Sequence, residues 1–278
     1  MTERRRAGVL GHPIGHSLSP VLHLAAYRAL GLPWDYEAYD VTVEQLSPFL
    51  NDLDDGWAGL SLTMPLKVEA LRHMDVIEPL ARSLGAVNTV LVQRVGDTLS
   101  LVGANTDVHG VVAALEEAGV ARVSSAVILG GGATATSAMA ALAQLGCTAP
   151  IIAVRSRARA AGLMAAQAAT GLQPVFVDFE EAADVLERAE VVVSTVPIEA
   201  GRAVGERLRS VAQGAVLLDV IYHPPVTPLA ESWAAAGGRV VPGVRMLLHQ
   251  AGEQVRLMTG RPAPLKEMDA ALVSHLSG

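Results

Sequence analysis

A two-domain α/β fold is predicted by three features of this sequence. Its 278 residues are more than one hydrophobic core usually organises, and with 51% hydrophobic and 18% charged residues each half can bury its own core. Short β-branched and apolar runs alternate with helix-favouring segments along the whole length, as they do when strands and helices form separate layers. The third feature is the stretch AVILGGGATATSAMAALAQLG at residues 126–146, where a strand-like run stops at Gly130, Gly131 and Gly132 and an alanine-rich helix follows.

In the N-terminal half, residues 7–10 read as a strand leading into GHPIGHSLSP, a loop dense in turn formers and hydroxyl donors. Pro20 suits the first turn of a helix that runs to about residue 30, with Gly31 as its stop. Residues 35–41 alternate as a strand, residues 44–53 read as a helix in spite of Pro48, and residues 57–62 form a strand broken by Thr63, Met64 and Pro65. Residues 66–74 and 77–84 read as short helices, and residues 86–93 and 98–104 as a hairpin around Gly96 and Asp97.

Residues 108–118 have helical periodicity, close at Gly119 and bridge to the second half. There the alternation is regular. Strands are predicted at residues 126–129, 151–154, 174–177, 191–195, 215–220 and 239–241, with helices at 159–169 and near 180–189 among the segments between them. Their near-continuous apolar character implies a parallel sheet covered on both faces. Two closing helices, 245–259 and 264–276, are too many for that sheet. Residues 1–107 with 243–278 are therefore expected to form one domain, and residues 108–242 the other. Cys147 is read as a buried strand-edge residue.

Composition excludes several classes. A formal net charge of −7 disfavours nucleic acid and anionic membranes as partners. A single cysteine, Cys147, rules out an internal disulfide and a cysteine-rich metal site, and no metal is signalled elsewhere. Neither a signal-type apolar region nor a run of about 18 apolar residues occurs, so a soluble, cytoplasmic protein is expected, monomer or homodimer, with Arg4 to Arg6 a solvated terminus.

Gly130, Gly132 and Ala135 form the spacing G-x-G-x-x-A between strand and helix. The first glycine makes the turn, the second lets backbone N–H groups approach a pyrophosphate, and the small third residue lets helix and strand pack. An anion would then sit at the helix N-terminus. The fold class is thus an α/β domain joined to a Rossmann-type, parallel-sheet dinucleotide-binding domain. After the second strand of this domain the sequence reads IIAVRSRAR, without the acid that binds a free ribose 2′-OH. Arg155, Ser156, Arg157 and Arg159 cluster instead, which suits a 2′-phosphate and NADP. Arginines on a solvated helix start are the alternative, evenly weighted for Arg157.

In the first domain Ser17 and Ser19 stand two apart and could both address one carboxylate, although Ser19 ahead of Pro20 also suits a helix cap. Lys67 follows Pro65 by two residues, and Asp107 ends the run GANTD. Asn88 in GAVNTV is an amide inside an apolar run, so it needs buried partners.

Together these segments resemble the shikimate dehydrogenase family over essentially the whole chain. HSLSP, SLTMPLK, GAVNTV, GANTDVHG, YHPPVTPL and GVRMLLHQA match its motifs in order. The resemblance implies a substrate-binding first domain, with Ser17, Ser19 and Tyr222 on the substrate carboxylate and Thr63, Asn88 and Gln250 on ring hydroxyls. It implies Lys67 and Asp107 as the catalytic pair. Gly130 to Thr134, including Gly131, Gly132 and Ala133, would hold the pyrophosphate, Arg155, Ser156 and Arg159 would sit at the adenosine phosphate, and Thr195 and Gly243 along the nicotinamide half. His16 and His23 are read as loop and helix packing. The chain departs from the family at Leu24 and Ser61, each in place of an asparagine, and at Ala133, Thr136 and Val154, in place of glycine, arginine and asparagine. The implied activity is reversible reduction of 3-dehydroshikimate with NADPH. A quinate or aminoshikimate dehydrogenase, and a ligand-sensing relative without catalysis, are the alternatives; a folate-linked dehydrogenase is disfavoured by the paired serines.

Overall fold

The structure, a computed structural model, describes residues 3–277, apart from the side chains at 158, 159, 161 and 168–170. The chain forms two compact units, one running to Thr106 and resuming at Leu247, the other spanning Asp107–Met246. The divisions fall one residue before and four residues after the boundaries expected from the sequence. Asp107 goes with the helix it begins, and Gly243 to Met246 stay with the sheet they leave.

The first unit contains β1 (Arg6–Gly11), α1 (Ser19–Ala29), β2 (Asp35–Asp40), α2 (Val43–Asn51), β3 (Trp57–Leu62) and α3 (Leu66–Glu69), followed by a 3₁₀ turn at Ala70–His73. It continues with β4 (Val76–Ile77), α4 (Pro79–Leu84), β5 (Thr89–Val95) and β6 (Thr98–Ala104). Its sheet has the order β2-β1-β3-β5-β6-β4. Burial follows from that order: every residue of β3, in the interior of the sheet, is buried, whereas the edge strand β2 (DYEAYD) buries only Tyr36. On one face Leu10, Leu46, Leu60, Leu66, Val87 and Val90 form a continuous apolar core. β5 alone runs antiparallel to both neighbours, β3 and β6. Residue 77, expected to begin a helix, instead lies in a short strand, Val76–Ile77, that pairs with β6, and the helix starts only at Pro79, whose fixed φ suits a first turn.

The second unit opens with α5 (Asp107–Glu117) and builds its sheet from β7 (Ala126–Leu129), β8 (Ile151–Val154), β9 (Val175–Asp178), β10 (Val191–Ser194), β11 (Val216–Asp219) and β12 (Arg239–Pro242). The order is β12-β11-β10-β7-β8-β9, and all five pairings are parallel. Between the strands lie α6 (Ala133–Gln144), α7 (Ala161–Thr170), α8 (Ala182–Leu186), α9 (Ile198–Gly205) and α10 (Pro228–Ala235). The alanines of α6 have a structural reason. This helix packs on the sheet and against α5 and α7, so residues 135–142 are all buried and small side chains let the backbones approach.

Cys147 is buried, but it lies in the turn after α6, its N–H bonded to the Leu142 carbonyl, and not at a strand edge. The chain ends in α11 (Gly243–Thr259) and α12 (Leu265–Ser277), and α12 packs on α1. Among the described residues no helix is long and apolar enough to cross a membrane.

Candidate active site

In the second unit a cavity of about 580 Å³ opens at the carboxyl ends of the strands. Such volumes are usual for small-molecule sites, roughly 300–1,000 Å³. Its position follows from topology. After β7 the chain adds β8 and β9 on one side, then returns to lay β10 on the other, and in open parallel sheets this reversal leaves a crevice. Gly130 lines it with φ +107°, a conformation that favours glycine, and a Cβ there would also run into the Thr195 hydroxyl. Thr195 donates from both its N–H (2.9 Å) and its hydroxyl (2.8 Å) to the Leu129 carbonyl, while Gly130 N–H donates to Ala153 O at 3.1 Å. The ends of three strands are thereby tied around the glycine turn.

Gly132 is the residue preceding α6, and a Cβ there would meet nothing within 4 Å. The first-turn N–H groups of α6, which have no partner inside a helix, are available at this end of the cavity; Ala133 and Thr134 supply two of them. Arg155 and Ser156 line the cavity just beyond β8, and the Arg155 side chain is exposed. Arg157 is placed otherwise: its guanidinium donates to the Phe176 carbonyl at 3.2 Å, which favours a structural use. The side chain of Arg159 lies outside the described residues. Phe179, Val196 and Pro197 also line the cavity. The sequence reading missed them, although each follows closely on a strand end, which was the available signal.

Gly243 is not among the lining residues. A Cβ there would lie 2.6–2.7 Å from backbone atoms of Asp219 and Val220, so close packing of α11 against the end of β11 requires a glycine. Tyr222 follows β11 in a loop tied down by Asp219, which accepts from the Thr227 hydroxyl (2.5 Å) and the Ile221 N–H (3.3 Å). Burial raises the pKa of the Asp219 carboxyl, and it raises that of the Tyr222 phenol too.

In the first unit one sheet edge carries most of the residues singled out from the sequence. Leu10 pairs with Leu62, Ser61 with Thr89 and Thr89 with Ala104, so the carboxyl ends of β1, β3 and β6 align with the amino end of β5. Ser17 and Ser19 follow β1, Thr63 and Lys67 follow β3, and Asn105 to Asp107 follow β6. Asn88 precedes β5. Because β5 is antiparallel, a residue before it reaches the same edge as residues after the others.

Ser19 is not the cap of α1: Leu18 holds that position, and it is Ser17 whose hydroxyl accepts the Ser19 N–H, at 3.3 Å. Thr63 is anchored by its N–H to Leu10 O at 2.9 Å and accepts at its carbonyl from Leu66 N–H at 2.8 Å, which starts the turn that carries the half-buried Lys67. The Lys67 carbonyl in turn accepts from Val87 N–H at 2.8 Å, beside Asn88.

Asn88 is 1% exposed. Its Oδ1 accepts from Thr106 N–H (2.7 Å) and the Thr89 hydroxyl (2.9 Å), and its Nδ2 donates to the Thr106 hydroxyl (2.9 Å) and to Gln250 Oε1 (3.3 Å). The buried amide predicted to need partners has them, and Gln250 is one. Lys67 and Asp107 fall in different units, as do Tyr222 and the two serines. Among the described residues no group of three His, Cys, Asp or Glu side chains could hold a metal ion.

The glycine-turned strand and helix, with the crevice at the strand-order reversal, define a Rossmann-type dinucleotide-binding protein whose other unit is a mixed α/β sheet. The comparisons narrow this class. Residues 9–90 match the shikimate dehydrogenase substrate-binding domain, residues 112–224 the shikimate/quinate 5-dehydrogenase model and residues 243–273 the shikimate 5′-dehydrogenase C-terminal domain. A shikimate dehydrogenase (NADP(+)) of Moorella thermoacetica is 36% identical over 95% of this chain and 91% of its own. The crystal structure of Mycobacterium tuberculosis shikimate dehydrogenase is 41% identical, with a TM-score of 0.86 over 98% of this chain and 99% of that one. The shikimate 5-dehydrogenase of Thermus thermophilus, in complex with NADP(H) and shikimate, is 32% identical, with a TM-score of 0.80 over 97% and 99%. The chain belongs to the shikimate dehydrogenase family.

His23, in the α1 turn that carries Ser19, yields a stability prediction. It is fully buried, stacks on Tyr36 at 4.0 Å between ring centroids and donates from Nδ1 to the Ser19 carbonyl at 2.9 Å; Nε2 meets no donor among the described residues. Burial lowers its pKa from 6.5 to about 4. Above the unfolded-state value both states are neutral and stability is full; as pH falls through that value towards about 4 the unfolded chain takes up a proton that the folded one refuses. Between about pH 8 and pH 5 this residue should cost about 2 kcal/mol of stability. Urea unfolding at the two pH values should show a loss smaller by that amount in His23→Gln; an equal loss in both proteins would remove His23 as the cause.

Proposed function

We propose that this chain is an NADP-dependent dehydrogenase that interconverts shikimate and 3-dehydroshikimate. The observation that carries the reading is the crevice of the second unit, which combines a glycine turn at a helix N-terminus with an exposed Arg155 and no carboxylate among its lining residues, in a chain of this family. The residues fit the cofactor: open space at Gly132 lets phosphate oxygens meet N–H groups of α6, and Arg155 can form a bidentate pair with a 2′-phosphate. Ser156 stands beside it. Thr195, with Gly130 packed against its hydroxyl, is assigned to the nicotinamide half.

NADP(H), when bound, supplies or accepts the hydride. The substrate is assigned to the first unit. Ser17, Ser19 and the protonated Tyr222 donate to its carboxylate, and Thr63, Asn88 and Gln250 bind its ring hydroxyls. As the ring carbonyl is reduced, negative charge develops on its oxygen. The Lys67 ammonium stabilises that charge and transfers a proton to it, then regains one from solvent; in the reverse direction the neutral amine takes the hydroxyl proton. Asp107, a buried acid at the start of α5, is assigned as the partner of Lys67.

Steady-state assays with shikimate and quinate, each with NADP and NAD, test the reading directly. Shikimate with NADP should have the highest kcat/KM, and quinate as the better substrate would identify the nearest rival. In Arg155→Ala the preference for NADP over NAD should fall by about 10- to 150-fold, the worth of charge-assisted bonds of roughly 1.5–3 kcal/mol. An unchanged ratio would reduce Arg155 to a solvated residue. Lys67→Met should lower kcat by roughly 10²–10⁴-fold while NADPH affinity, followed by fluorescence titration, stays nearly constant. A variant that keeps most of its turnover would take Lys67 out of the mechanism.

A further inference from the structure

Asn88 is held by more than the residues assigned to the substrate. A chain of hydrogen bonds with a single direction leads to it through the buried interior of the first unit. The Tyr36 hydroxyl donates to Ser61 Oγ at 2.6 Å, and Ser61 donates to Gln254 Oε1 at 2.8 Å. Gln254 Nε2 donates to Thr89 Oγ1 at 3.0 Å and to the Asn88 carbonyl at 3.2 Å, and Thr89 donates to Asn88 Oδ1 at 2.9 Å. Ser61, Asn88, Thr89 and Gln254 are all buried.

The direction is forced. A backbone carbonyl can only accept, so the Gln254 nitrogen must face Asn88; its oxygen then faces Ser61, which must donate. The Thr89 oxygen receives the second Gln254 N–H, and of the two acceptors within reach of the Thr89 proton Asn88 Oδ1 (2.9 Å) is nearer than Thr106 Oγ1 (3.2 Å). Thr106 N–H also donates to that oxygen, so the orientation of the Asn88 amide is set twice, once from the backbone and once through Gln254.

Gln254 lies one helical turn beyond Gln250 on α11, the spacing at which two side chains share a helix face. Both meet Asn88, Gln250 at the side chain and Gln254 at the carbonyl and through Thr89. Ser61 and Thr89 are direct partners across the antiparallel β3–β5 pair, where Cβ atoms stand roughly 4.5–5.5 Å apart. The carboxamide of Gln254 links the two hydroxyls, accepting from Ser61 and donating to Thr89. An asparagine at 61, the residue from which this chain departs, would carry a carboxamide to Thr89 on its own strand.

We infer that Gln254 is a positioning residue for substrate binding, supplying from α11, through Ser61 and Thr89, the amide that orients Asn88. This rests on the assignment of Asn88 to the substrate. In the full-length protein, Gln254→Ala should raise KM for shikimate by about 3- to 10-fold, the factor for one of two orienting hydrogen bonds, while kcat and KM for NADP change by less than about twofold. Adding Ser61→Asn, which returns a carboxamide to the gap, should bring KM for shikimate back towards the wild-type value.

A fall in melting temperature with no change in KM for shikimate, equal changes in both KM values, or a double variant no better than the single one would each overturn the inference. Ser61→Ala, which removes the donor to Gln254 while keeping the amide, is the second variant should Gln254→Ala not fold; it should also raise KM for shikimate selectively, and an unchanged KM would overturn the inference as well. Shikimate affinity is measured in parallel by calorimetry. A wild type that binds shikimate without reducing NADP would defeat the dehydrogenase reading while the Gln254 effect is still read as a Kd; a wild type that binds no shikimate would overturn both.

Discussion

The need to satisfy a buried amide constrains the first unit more than any other interaction. Asn88 is sealed from solvent, and each unpaired polar group there would cost about 1–3 kcal/mol. Its partners come from the start of β5, from the segment after β6 and from α11. Those segments are distant in sequence, and the amide is satisfied only when all three are in register. The antiparallel course of β5 follows from the same requirement, since it presents Asn88 at the edge where β1, β3 and β6 end. Satisfied networks of this kind hold side chains in one arrangement, which is what a site that must present hydroxyl and amide groups to a small polar ring requires.

The second unit meets a different constraint, the close approach of backbones. Gly130 adopts a positive φ against Thr195, Ala135 is buried in the helix face, and Gly243 lies against the end of β11. At Gly130 and Gly243 the end of a neighbouring strand occupies the space a side chain would take. The outcome is a crevice bordered by N–H groups and one exposed guanidinium on a chain whose net charge is negative. An anion bound there depends on these local donors and gains nothing from the overall charge.

Much of the candidate site was legible in the order of residues because its motifs are short and their chemistry is local. The glycine spacing, the two serines before Pro20, the lysine after Thr63-Met64-Pro65 and the amide in an apolar run all declare themselves within a few positions. The errors have equally local causes. Residue 77 was joined to a helix because an apolar residue beside a helical segment carries no sign of the strand it will pair with. Cys147, read as a strand-edge residue, sits instead in the turn that ends α6.

By itself the sequence determined the two α/β units, nearly all their elements and the residue types of the glycine crevice, since turn chemistry and hydrophobic period act over a few residues. Only the tertiary structure decided which distant side chains meet. Ser61 and Gln254 are 193 positions apart and bond because β3 and α11 pack together. Arg157 could be read as solvated or as phosphate-binding until the β8–β9 pairing put a carbonyl within its reach. Phe179, Val196 and Pro197 had no motif to announce them and line the crevice because of where the strand order reverses. Sheet register and helix packing bring together residues whose local sequences carry no trace of one another, so the polar chain behind Asn88 exists only in the folded molecule.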